Sequence, residues 1–272
     1  MLAPKPSLAA TELAFYIPAF LSSAFILHKQ GFARQQGWFY LLALSILRLI
    51  GAACTLYMAT QNDFSASLLE TAIITSAVGT APLLLALLGF QERVNEGMEH
   101  KGLSSDVFRP IHLIALTALV ISIVGGVYET HASASDQRTG KKLMDAAGIL
   151  FLTIYLALCG SAIRALVELR WVLVDEKRLA HACVVALPFL CVRIVYTLCV
   201  VFGTRGSVFD FRNVNVWVQA FMQFLMEVVV VAIFVLAGVT TPKHVKREMQ
   251  EGAVKEDAGD EGVELGETVG QG

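Results

Sequence analysis

The chain has 272 residues, 56% of them hydrophobic and 16% charged, with a formal net charge of −2. Soluble domains average about 45–50% apolar and about 25% charged residues, so both departures point toward lipid as the solvent. Together with a mean hydropathy of +0.63 and no basic excess, they exclude an ordinary soluble enzyme, a nucleic-acid-binding domain and a disordered regulator.

Seven apolar segments follow one another, at about 8–28, 37–59, 66–90, 109–128, 143–165, 179–202 and 216–240. Each has the length a helix needs to cross a bilayer. The expected fold is therefore all-α: a polytopic membrane protein whose residues 1–242 form a bundle of seven transmembrane helices. The first segment reads as a retained helix rather than a signal peptide. No small-residue cleavage site follows it, and His28, Lys29 and Arg34 close it as a basic flank. Counting Lys and Arg in the connections places thirteen on one side and six on the other. The richer side is expected to be cytosolic, which puts the N-terminus in the lumen and the C-terminus in the cytosol, in the endoplasmic reticulum or another endomembrane. After the basic collar of Lys243, Lys246 and Arg247, the tail 243–272 turns to Gly, Glu and Asp without an aromatic residue. It is expected to be disordered, because it cannot bury enough apolar surface to fold.

All five cysteines lie inside the apolar segments, which favours packing over disulfides. The sequence has no CxxC pair, HExxH, His-rich cluster, P-loop or GxGxxG, so neither a metal nor a cofactor is expected. Seven spans invite a receptor reading. The third segment, however, ends in Gly89-Phe90-Gln91-Glu92-Arg93 instead of Asp-Arg-Tyr, and the seventh lacks both Asn-Pro-x-x-Tyr and a lysine for retinal.

The charges inside the segments carry most of the information. An Arg or Asp at the bilayer centre costs roughly 2.5–3.5 kcal/mol even on the lenient insertion scale, so such residues face the bundle interior. Here they are Glu12, Arg48, Glu70, Arg193 and Glu227. By depth they gather in the lumenal half and the centre, and the cytosolic half looks apolar. Gln219, Gln223 and Glu227 recur every four residues, Tyr196 follows Arg193 by three, and Tyr16 follows Glu12 by four. Pro188 is expected to kink the sixth span and open space beside Arg193. The expectation is a polar pocket lined by spans one, two, three, six and seven, with Tyr57 among its aromatic residues. Three deep acids face two arginines, so one carboxyl is left over, and a carboxyl without a cation in a dry site holds its proton. The acids Glu70, Glu227 and Glu12 are the catalytic candidates. Arg48, Arg193, Tyr196, Gln223 and Tyr57 are the candidates for charge pairing or for lining a substrate pocket. Buried Arg–Glu pairs also tie helices together without any chemistry, and that reading stands beside the functional one.

Three stretches resemble a known family: Arg48-Leu-Ile-Gly51, Pro188-Phe-Leu-Cys-Val-Arg193-Ile-Val-Tyr196, and Glu227 in the seventh span. Over about residues 8–242 the chain resembles a fungal family of seven-spanning integral membrane proteins. Some of its members are similar to membrane-bound terpene cyclases of meroterpenoid pathways. The resemblance implies an intramolecular cyclase of secondary-metabolite biosynthesis. It would protonate an epoxide or terminal olefin on an apolar prenylated substrate drawn from the bilayer, with paired acids such as Glu70 and Glu227 in those roles and no metal or cofactor. Tyr16, Tyr57, Tyr155 and Tyr196 would steady a carbocation through their ring faces. The order acid–arginine–acid also occurs twice, as Glu12–Arg48–Glu70 and Asp145–Arg193–Glu227. That is the pattern of an internal repeat, and it keeps a small-molecule or lipid transporter as the alternative, beside an orphan receptor-like protein.

Overall fold

The computed structural model describes residues 4–30, 36–61, 65–98, 105–130, 133–168, 174–203 and 215–240. Among these residues the chain is helical almost throughout. The helices are α1 (Pro4–Gln30), α2 (Gln36–Gln61), α3 (Ala66–Val78), α4 (Thr80–Glu96), α5 (Ser105–Thr130), α6 (Ala134–Val167), α7 (Val174–Phe202) and α8 (Val216–Thr240). Six of them, all but α3 and α4, are long and apolar enough to cross a membrane. The expected tail 243–272 lies outside the described residues.

The distribution of side chains is that of a protein dissolved in lipid. Ile17, Leu21 and Phe25 make an outward stripe on α1 with exposures of 51%, 60% and 64%. Arg48, Arg193 and Glu227 are meanwhile enclosed. Apolar residues outside and charges inside are what a bundle in hydrocarbon requires.

The third expected span departs from the sequence reading. In place of one helix over 66–90 there are two, of 13 and 17 residues, which meet at Gly79. Pro82 supplies the physical reason. It has no N–H for the carbonyl of Val78, four residues back, and its ring crowds that carbonyl. The ladder lapses at Val78 and α4 restarts at Thr80, while Gly79 between them keeps helical angles (φ −56°, ψ −19°), so the interruption lies in the hydrogen bonding. From Thr80 to Asn95 nearly every residue of α4 is buried, and α4 packs against α2, α5, α6 and α7. The remaining helices close a ring, in which α1 meets α2 and α8, α2 meets α3, α3 meets α5, and α6 joins α5 to α7, which returns to α8.

The fifth expected span starts earlier than its apolar stretch, because α6 begins at Ala134. Its first turns are anchored by Lys141. The Nζ of Lys141 donates to the carbonyl of Val201 at 2.5 Å and lies 3.4 Å from that of Gly203. A cation there satisfies carbonyls that the end of α7 leaves open. At another point Trp38, Phe90 and Phe234 stack with ring centroids 4.6 Å apart at each step. Gly238 is needed at this place, since a Cβ on it would run into the Trp38 ring.

Candidate functional site

Glu227 of α8 is completely buried, and four helices converge on it. Arg48 of α2 grips the carboxylate with both ends of its fork. Its Nε donates to Oε1 at 2.6 Å, and its Nη2 donates to Oε2. The hydroxyl of Tyr16, from α1, donates to Oε1 at 2.5 Å. The Nε of Arg193, from α7, stands 3.6 Å from Oε2. Bidentate, charge-assisted pairing of this kind is the strongest form of side-chain hydrogen bonding. Both carboxyl oxygens of Glu227 are thereby engaged by neighbouring donors.

Arg193 is less completely satisfied than Arg48. It is 2% exposed. Its Nη1 donates to Thr197 Oγ1 at 3.2 Å, and its plane lies 5.6 Å from the centre of the Tyr196 ring. Its Nη2 is buried with no hydrogen-bond partner among the described residues. Thr197 Oγ1 in turn lies 3.1 Å from the hydroxyl of Thr80, the first residue of α4. On the other side of that helix start, Arg48 packs against Gly79. A Cβ on Gly79 would come within 2.8 Å of the Arg48 Nη2. The two arginines therefore stand beside the break between α3 and α4, and a Cβ at position 79 would require the Arg48 guanidinium to shift.

The backbone is irregular on several sides of this group. Besides the break at Gly79, α8 carries a π-helical stretch at Gln219–Leu225, which ends just before Glu227. Such stretches are rare and concentrate at functional sites. Pro188 sits inside α7, five residues before Arg193, and leaves a carbonyl of the preceding turn without its usual donor.

Glu12, Arg48, Arg193, Tyr196, Gln223 and Glu227 are all buried. The field at Glu12 comes mainly from Arg48, Glu227 and Arg193, so Glu12 belongs to the group even though it makes no hydrogen bond among the described residues. Two expectations need correction. Glu70 does not join the group; it is half-buried and accepts from Thr130 Oγ1 of α5 at 2.9 Å. Tyr57 faces outward, 52% exposed. Each stands nine residues, roughly 13 Å along its helix, from the position that meets the group, Gly79 or Arg48. Sequence reasoning missed the hydroxyls of Thr80 and Thr197 and the role of Gly79. Thr197 sits one turn after Arg193, and Gly79-Thr-Ala-Pro82 is a helix-break signal inside an apolar run.

The other half of the bundle is not purely apolar. Gln91, Arg93 and Asn95, on the second half of α4, are buried. Gln91 Nε2 donates to the Leu158 carbonyl at 3.1 Å, and Ser161 Oγ donates to Gln91 Oε1. A small cleft lies beside them, lined by Asn95, Ser161, Arg164, Met98 and Phe108 among others. The central helix thus has a polar region at each end. Among the described residues no group of three His, Cys, Asp or Glu side chains is arranged to hold a metal.

Neither a curated protein nor a solved structure matches the chain. A family match covers residues 2–244, which is nearly all of the chain apart from the tail. The chain therefore belongs to the family described as a domain of unknown function, DUF7702.

Proposed function

We propose that the chain is a membrane transporter for an amphipathic small molecule or lipid. It crosses an endomembrane seven times, with α3 and α4 as one broken crossing, the N-terminus lumenal and the C-terminus cytosolic. The observation that carries this reading is the break at Gly79, set directly against Arg48 and the buried Glu227 group. In transporters, interrupted helices form the substrate site at mid-bilayer, because backbone freed from the ladder there lines a cavity instead of meeting lipid. Three further features support it. The π-helical stretch and Pro188 give α8 and α7 places to bend, and the polar residues at both ends of α4 mark two ends of a path.

The cyclase is the second reading, and one observation favours it. Glu12 is a carboxyl 9% exposed, beside two arginines whose main counter-charge is Glu227. A cyclase needs an acid whose oxygens can reach the substrate, and Glu12 is the buried carboxyl of the group that makes no hydrogen bond among the described residues. The step would move the Glu12 proton to an epoxide oxygen or terminal olefin, close the ring through the neighbouring double bonds, and release a proton. No atoms are gained or lost.

One pair of assays separates the two readings. Purified protein in liposomes carrying nitrobenzoxadiazole-labelled phosphatidylserine or phosphatidylcholine is exposed to dithionite. A transporter makes inner-leaflet label accessible. In parallel, membranes containing the protein receive a farnesylated phenol epoxide. A new product of unchanged mass, lost in Glu12→Gln with protein levels preserved, supports the cyclase and displaces transport. Label movement no faster than in empty liposomes removes the lipid-transport reading.

A further inference from the structure

The group around Glu227 contains two guanidiniums and two carboxyls, and the carboxyls are held in different ways. Glu227 Oε1 accepts from Tyr16 and from Arg48 Nε, while Oε2 accepts from Arg48 Nη2 and faces Arg193 Nε at 3.6 Å. A proton on either oxygen would displace a donor or meet a guanidinium. Glu12 makes no hydrogen bond among the described residues, and it is 9% exposed where Tyr16 and Glu227 are completely enclosed. It stands one turn nearer the start of α1 than Tyr16, the residue that joins α1 to Glu227. The charges that face it are Arg48 of α2, Arg193 of α7 and Glu227 of α8. The charge count turns on this one carboxyl. Ionised, it balances two cations with two anions, but its oxygens accept no hydrogen bond. Protonated, it leaves a cation in excess, and Arg193 Nη2 is already a buried donor without a partner. Each form thus has one cost, since a buried carboxylate needs hydrogen bonds and a buried cation needs a counter-charge.

We propose that Glu12 is a reversible proton-binding site, and that the proton it exchanges with water is coupled to the movement of the solute. The proposal rests on the transport reading and names its coupling ion. In one half of the cycle a proton from water adds to a Glu12 carboxylate oxygen. In the other half the same O–H bond breaks and the proton returns to water; no other bond changes. Ionised Glu12 ties α1 electrostatically to Arg48 and Arg193. Protonated Glu12 leaves the Tyr16 hydroxyl as the link from α1 to the group. The hold on α1 therefore changes with the proton. Pro18, six residues further along α1, removes a rung of its ladder and gives the helix a place to bend. Arg48, Arg193 and Tyr16 set the field around Glu12 without carrying the proton, so they are positioning residues. Proton binding and solute movement are separate events and are read separately.

The test uses the full chain in nanodiscs and in liposomes. Infrared difference spectra between acidic and alkaline buffer are read for the carbonyl stretch of a protonated carboxyl. Wild type is expected to show a reversible component that Glu12→Gln lacks, Glu70→Gln keeps and Glu12→Asp restores. A second measurement needs no variant and decides the matter if Glu12→Gln fails to fold. Dicyclohexylcarbodiimide, which attacks protonated carboxyls from the apolar phase, is expected to modify Glu12 in wild type, several-fold faster in acidic than in alkaline buffer, as read by peptide mass mapping. In liposomes, an imposed pH gradient is expected to change the rate of label movement at least tenfold in wild type and to leave Glu12→Gln indifferent. An unchanged infrared component in folded Glu12→Gln overturns the proposal. So does carbodiimide labelling that is absent from Glu12 or independent of pH, and so does wild-type movement that ignores the gradient. A proton on Glu12 without any label movement leaves the site standing and removes the transport reading. Label movement without a proton on Glu12 does the reverse.

Discussion

Removing the charge of Glu227 leaves Arg48 and Arg193 facing each other with only Glu12 nearby. Breaking a buried pair from one side costs about 3–5 kcal/mol, because the remaining charge stays desolvated. Glu227→Gln is therefore expected to lower the unfolding Tm in detergent sharply. Replacing the Arg48–Glu227 pair together, by Met and Leu, is expected to recover part of that loss, since Arg193, with Glu12 beside it, is then the one buried cation of the group left without Glu227. If the group only ties helices together, this double variant is also fully active; the transport account expects it to be stable and inactive. Glu70→Gln and Tyr57→Phe, outside the group, are expected to change stability by less than about 1 kcal/mol and to leave activity intact. The chemistry at this scale was legible where a charge had to be buried, because cost alone places Arg48, Arg193 and Glu227 inside. It was illegible where rotation decides. Glu70 meets Thr130 of α5 instead of the group, and Thr80 and Thr197 are hydroxyls like any other until the fold sets them 3.1 Å apart.

Among the elements, the pair α3–α4 is where a local rule overrides a global pattern. Hydropathy reads 66–90 as one span, and it is blind to a single missing N–H. Pro82→Ala restores the donor to Val78 and lets the ladder run through Gly79. It is expected to keep unfolding stability within about 1 kcal/mol of wild type while slowing label movement at least tenfold; transport at the wild-type rate would show that the break is incidental. Gly79→Leu pushes a side chain into the Arg48 guanidinium and is expected to impair both stability and movement. The early start of α6 was hidden for a related reason. Residues 134–142 are too polar to register as membrane, yet they are good enough helix formers once Lys141 reaches the end of α7.

For the molecule as a whole, a bundle with apolar stripes outward and charges inward needs lipid to stay dissolved. The proposed seven crossings and lumenal N-terminus take α3–α4 as one broken span, and glycan mapping tests them. An N-glycosylation acceptor placed within 204–214 is expected to gain a glycan in microsomes, and one placed within 99–104 is not; the opposite result reverses the orientation. Composition and span length made the class of fold readable from the sequence, because length and apolarity are physical requirements of the bilayer. The site was readable only as a set of candidates, because convergence on Glu227 depends on four helices meeting at one height. The most direct test of the central claim is dithionite bleaching of labelled phosphatidylserine in liposomes holding wild-type protein or Arg193→Gln at equal, folded amounts. The account predicts rapid loss of inner-leaflet label with wild type and at least tenfold slower loss with the variant. Equal rates in the two, or no movement above empty liposomes, would contradict it.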